Sequence, residues 1–92
     1  MDEPQFKWCE EKNRILKAER NLCFEDAVLA ILNGQLLDII HNPSRNHREQ
    51  MCLIVDISGY AHIVPFVREG EVFFLKTIYP SRRRTQKYLK ES

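Results

Sequence analysis

The sequence predicts an α+β fold: two N-terminal helices, an antiparallel β-meander sheet and a C-terminal basic helix. Three observations predict it. An apolar stripe at helical spacing occupies residues 24–32, several alternating or β-branched runs separated by turn signals follow, and cations crowd the last twelve residues. The chain has 92 residues, 43% of them apolar and 29% charged, which suits one ordinary globular domain over residues 1–92 rather than a disordered tail. No internal repeat, low-complexity tract or flexible linker divides it.

Phe6 and Trp8 alternate with polar neighbours, as in a short strand or an extended lead-in. Good helix formers run from Glu10 to about Glu19, with acids in the first turn where the helix dipole favours them. Asn21 then tolerates the left-handed conformation that ends helices. In the second helix Phe24, Ala27, Val28, Ile31 and Leu32 fall on one stripe, which predicts a core face, and Gly34 stands where a terminating glycine belongs.

The segment from Leu36 to His41 reads as a strand followed by a polar loop, NPSRNHREQ. Met51, Leu53, Val55 and Ile57 then alternate with Cys52, Ile54 and Asp56, a strand with one face more apolar than the other. Ser58-Gly59 signals a hairpin, after which HIVPFV returns. Pro65 lacks a ladder donor, so an edge position or a bulge is expected there. Glu69-Gly70 makes the next turn and VFFLKTIY the last strand, with the helices packed on one face of the sheet. Pro80 stops that strand and Ser81 caps the closing helix.

Composition narrows the chemistry. No apolar run approaches the ~18 residues that span a bilayer, and the opening MDEPQFKW is acidic and polar, so no membrane partner and a cytoplasmic location are expected. Cys9, Cys23 and Cys52 are an odd count without a CxxC pair or a histidine at metal-ligand spacing, which predicts free thiols, no metal site and no cofactor. No phosphate-cradling glycine loop or nucleophile elbow is present.

The net charge of +1 is unevenly spread. Residues 1–40 balance at −3 and residues 41–80 cancel, while Arg82, Arg83, Arg84, Lys87 and Lys90 against Glu91 leave +4 at the end. That end predicts an anionic partner: nucleic acid, phosphate or an acidic protein surface. Three arginines in a helix's first turn oppose its dipole, so stability alone does not favour them. Guanidinium forks, however, match phosphate oxygens, and a helix N-terminus adds free amides. At about 100° per residue, Arg82 shares a face with Thr85 and Leu89 and is expected to lean toward the sheet, with Arg83, Arg84, Lys87 and Lys90 in solvent. Lys76 shares a predicted strand face with Phe74 and Ile78 and either snorkels or faces a cleft beside Arg82. His47 and Glu49 in the polar loop are candidate acid–base groups, whereas His62 reads as a satisfied strand histidine and Tyr79 and Tyr88 as packing residues.

Three segments resemble the BrnT-type toxins of the RelE/ParE-like superfamily, which belong to bacterial type II toxin–antitoxin systems. FKWCEEKN resembles the family's Phe-x-Trp-Asp-x-x-Lys start, NLCFEDA its Gly-Val-Ser-Phe-Glu-x-Ala helix entry, and IYPSRRRTQKYL its Ile-Ser-Ala-Arg-Lys-Ala-Thr followed by a basic helix ending in Tyr. The resemblance implies a RelE-like fold and a ribosome-independent endoribonuclease that inhibits translation. It also implies a neutralising antitoxin of ribbon-helix-helix type, with operator DNA bound only through the antitoxin complex. On it, Arg82 matches the family arginine, Arg83 the lysine that follows, and Glu49 a glutamate before the central strand. Cys9 stands in place of the aspartate, Arg20-Asn21 in place of Lys-His-Gly, and Gln50 in place of an arginine.

Metal-free cleavage then assigns charge stabilisation at phosphorus to Arg82 and Arg83, proton transfer to Glu49 or His47, and RNA phosphate contacts to Lys76, Arg82, Arg83, Arg84 and Lys87. The alternative is a non-catalytic toxin-like module that docks an antitoxin or other acidic partner through the basic helix. Direct sequence-specific DNA binding lacks a helix-turn-helix pattern.

Overall fold

The computed structural model describes residues 5–42 and 50–90. Its elements are β1 (Gln5–Trp8), α1 (Glu10–Arg20), α2 (Phe24–Leu32), β2 (Leu36–His41), β3 (Met51–Ile57), β4 (Tyr60–Glu69), β5 (Val72–Leu75), β6 (Tyr79–Pro80) and α3 (Arg82–Thr85), which continues as a π-helical turn, Gln86–Lys90. The predicted α+β class and the order of its helices hold. Among the described residues no helix is long and apolar enough to cross a membrane.

The strands form one sheet in the order β1-β5-β4-β3-β2, with β6 pairing β4 beyond the end of β5. The sheet is mixed, where a wholly antiparallel one was expected. Gln5–Trp8 pairs in parallel with Val72–Leu75, because α1 and α2 and the central hairpins intervene before β5. The predicted strand VFFLKTIY is also interrupted. β5 ends at Leu75 and pairing resumes at Tyr79, so alternation fails between them, and Leu75 and Ile78 both enter the core.

Pro65 is not at an edge: β4 is flanked on both sides. Its carbonyl accepts from the Lys76 N–H at 2.8 Å, and a strand residue's N–H and C=O point the same way. The missing donor of Pro65 therefore faces the gap where the neighbour of β4 changes from β5 to β6. The proline sits where no donor is required.

Successive strand residues alternate between two faces. One face carries Leu53, Val55, Val64, Phe66 and Leu75 beneath Leu16 of α1 and Phe24, Ala27 and Ala30 of α2, forming the main core. Trp8 stacks on Phe24 at 5.5 Å, and Phe66 on Phe73 at 4.9 Å. The α2 stripe is rotated from its expected position: Ala30 is buried and Leu32 is 70% exposed, because the helix ends at Leu32 with its packed arc centred near Ala27. Asn13 joins the two helices. Its amide donates to Glu25 Oε1 and its Oδ1 accepts the Phe24 N–H, both at 2.8 Å, which satisfies a buried N-terminal amide of α2.

The opposite face carries Cys52, Ile54 and Ala61, all fully buried yet outside that core. They are covered by α3. Helices thus pack on both faces, correcting the one-sided arrangement expected from the sequence.

Candidate anion-binding face of the C-terminal helix

Ser81 and Thr85 hold α3 to the centre of the sheet. The Ser81 N–H donates to the Ala61 carbonyl at 2.9 Å, and the Ala61 N–H donates to Thr85 Oγ1 at 2.8 Å. The Thr85 hydroxyl donates in turn to the Ser81 carbonyl at 2.8 Å. Ser81 Oγ accepts the Arg84 N–H at 3.1 Å, as the sequence predicted for this cap. One turn later the Tyr88 hydroxyl donates to the Asp38 carboxylate on β2. The helix therefore crosses β3, tied to β4 on one side and to β2 on the other.

These ties set which cations face outward. Arg84 is half-buried, while Arg82, Arg83, Lys87 and Lys90 are exposed. This corrects the expectation that Arg82 leans on the sheet and Arg84 is solvated. The buried axis follows Thr85 toward Ala61 and Tyr88 toward Asp38, and the π-helical turn widens the spacing on which the 100° projection depends. The packing role assigned to Tyr88 is likewise incomplete, since its hydroxyl is committed to Asp38.

The electrostatics follow from this placement. The Tyr88 hydrogen bond, helped by the Ile39 amide and by the charges of Lys87 and Arg84, holds Asp38 below the usual carboxylate range. The same bond pushes the Tyr88 phenol up, against a smaller opposing effect of Arg84. Burial raises Tyr79 and Cys52, and Arg84 opposes both shifts. At neutral pH the site is a carboxylate, two protonated phenols, a protonated thiol and a half-buried guanidinium, with further cations at its rim. Such a face can bind an anion through its guanidinium, while the raised phenols and thiol are poor proton donors. It offers no strong base among the described residues.

Lys76 is exposed beyond the end of β5, its Nζ 5.0 Å from the centre of the Phe74 ring. It does not share a face with Ile78, which is buried. His47 and Glu49 lie outside the described residues. His62 is buried, with Nδ1 2.8 Å from the Tyr60 carbonyl, the satisfied strand histidine expected. Cys9 is exposed, Cys23 partly buried and Cys52 buried. Among the described residues no group of three or more metal-ligating side chains gathers.

Sequence reasoning missed Asp38, whose partner lies 50 positions away. One signal was present: a lone acid inside the apolar run LLDIIH requires a partner or solvent. Comparison with protein-family models, curated proteins and solved structures finds no match to this chain.

Proposed function

We propose that the chain is the toxin component of a bacterial type II toxin–antitoxin system: a cytoplasmic, metal-independent endoribonuclease of RelE-like fold, silenced by a cognate antitoxin. The reading is supported by the resemblance of the segments FKWCEEKN, NLCFEDA and IYPSRRRTQKYL to BrnT-type toxins. The single observation that carries it is the anchored cationic helix. Arg82, Arg83, Arg84 and Lys87 project from a segment whose backbone is tied to two strands, so they start from fixed positions rather than from a loose tail. Cations carried on a fixed backbone need less reorganisation to stabilise charge developing at phosphorus.

In this mechanism a ribose 2′-oxygen attacks the adjacent phosphorus, the bond from phosphorus to the 5′-oxygen breaks, and a proton passes to that 5′-oxygen. Arg84, seated deepest, faces the developing charge. Arg82 and Arg83 grip the flanking phosphates, and His47 and Glu49 supply proton transfer.

Incubation of the purified chain with RNA in EDTA tests the proposal. Cutting by the wild type, lowered about 100-fold or more by Arg84→Ala or by the Arg82→Ala/Arg83→Ala pair, is the expected result. RNA left intact by the wild type, or cut equally by all three, rejects it.

The second reading, a non-catalytic module docking an acidic partner such as an antitoxin, is favoured by one observation: Arg82 and Arg83 are exposed, and Arg84, not they, acts on Asp38, Tyr79 and Tyr88. Growth arrest on expression without a partner separates the enzyme from the harmless module.

A further inference from the structure

The half of the sheet that α3 leaves open carries a groove of about 290 Å³ lined by Val67, Glu69, Val72, Phe74 and Lys76. Its floor is rigid. Val67 faces Phe74 and Glu69 faces Val72 across β4 and β5, while Lys7 of β1 stands opposite Phe74 from the other side. Phe73 and Leu75 point into the core, yet the Phe74 ring between them is 37% exposed. An exposed phenylalanine alone carries little meaning. Here it forms the wall of a groove at the small end of the range for ligand sites, with one ammonium 5.0 Å from the ring and a second on the neighbouring strand.

The sheet face that carries the groove also runs toward the cationic helix. By alternation Val67 shares a face with Ile63, whose register partner is Tyr79, and the Tyr79 phenol lies within electrostatic reach of Arg84. Lys76 lines the groove, and its backbone N–H donates to the Pro65 carbonyl where pairing passes from β5 to β6.

We propose that this groove is a base-binding subsite for single-stranded RNA. One nucleobase stacks on Phe74, Lys76 and Lys7 hold its phosphates, and the Glu69 carboxylate accepts a hydrogen bond from an amino group on the base edge. The inference rests on the RNA reading above and adds a substrate preference to it. Charge selects this occupant. One ammonium lies beside the Phe74 ring, and a lysine stands at the register position opposite it on the neighbouring strand. Together they suit a phosphodiester with a flat base, on the same sheet face that leads to β6 and the arginine-bearing helix. A carboxylate accepts from the amino group of cytosine but meets only an acceptor at O4 of uracil, so cytosine is preferred to uracil.

Fluorescence anisotropy with labelled oligocytidylate and oligouridylate, in EDTA and at low salt, tests the subsite. Phe74→Leu keeps an apolar side chain and removes the stack, so it weakens oligocytidylate binding about 5- to 100-fold. Glu69→Gln abolishes the preference for cytosine. Lys7→Gln/Lys76→Gln leaves the ring in place and weakens both oligonucleotides, which keeps the proposal testable if a Phe74 variant misfolds. Unchanged binding by Phe74→Leu, beside loss in Arg82→Ala/Arg83→Ala, overturns the groove and leaves the RNA reading standing. No binding of either oligonucleotide by the wild type overturns the RNA reading and this subsite with it. An acidic peptide whose capture depends on Phe74, with RNA binding indifferent to it, assigns the groove to a protein partner and overturns the proposal.

Discussion

Asp38 and Tyr88 show how a surface pair acquires a pH signature. Asp38 is held below its ordinary range chiefly by the Tyr88 hydroxyl, and the bond is strongest while the carboxylate is ionised. Stability from a depressed carboxylate is present above its unfolded pKa and lost as pH falls through the folded value. The raised phenol works at the other end: its contribution is full below the ordinary tyrosine pKa and is lost as pH rises through the raised one. Tyr88→Phe is therefore expected to unfold at lower urea than the wild type near neutral pH, with the gap narrowing below about pH 3 and above about pH 10. Urea midpoints for both proteins across that range check this, and a gap independent of pH would refute the role of Asp38. Legibility at this scale was uneven. Ser81 was readable as a cap because its partner is three residues away, whereas Tyr88 could not be matched to Asp38 without the fold.

A helix this short survives only if something outside it holds it in place. α3 has four residues before its π-helical turn, too few to be stable on local hydrogen bonds, and Thr85 supplies the external hold. Its hydroxyl satisfies the buried Ala61 N–H, so Thr85→Val leaves that donor unpaired and is expected to cost about 1–3 kcal/mol. Thr85→Ser keeps both hydrogen bonds and loses one methyl, about 0.8 kcal/mol. Chemical denaturation ranks the two; equal losses would show that packing, not the hydroxyl, secures the helix. Elements defined by local signals were the legible ones. Asn21 and Gly34 end their helices with φ of 57° and 79°, and Ser58 and Gly59 turn the hairpin with φ of 57° and 83°. The run VFFLKTIY misled because its composition favours a strand throughout, while the partner strand offers no donor at Pro65 and pairing lapses there.

Across the whole molecule, a near-neutral chain concentrates its unbalanced positive charge on the helix that crosses the sheet. Binding to single-stranded RNA releases one condensed counterion population per neutralised phosphate, with a log–log salt slope of about −0.7 per contact. Removing Arg82 and Arg83 together is expected to flatten that slope by about 1.4, while Phe74→Leu lowers affinity and leaves the slope unchanged. Affinity titrated over a range of salt concentrations measures both, and equal slopes for wild type and the arginine pair would exclude these side chains from phosphate contact.

The sequence by itself determined the α+β class, the two N-terminal helices, the turn positions and the basic closing segment. Each depends on residues within a few positions of one another, and backbone preference and side-chain periodicity act over that range. Tertiary structure alone decided the parallel pairing of β1 with β5, the crossing of α3 over the second face, the depth of Arg84 and the bond between Tyr88 and Asp38. These couple residues tens of positions apart, and which of them meet is fixed by how the sheet's two faces are covered.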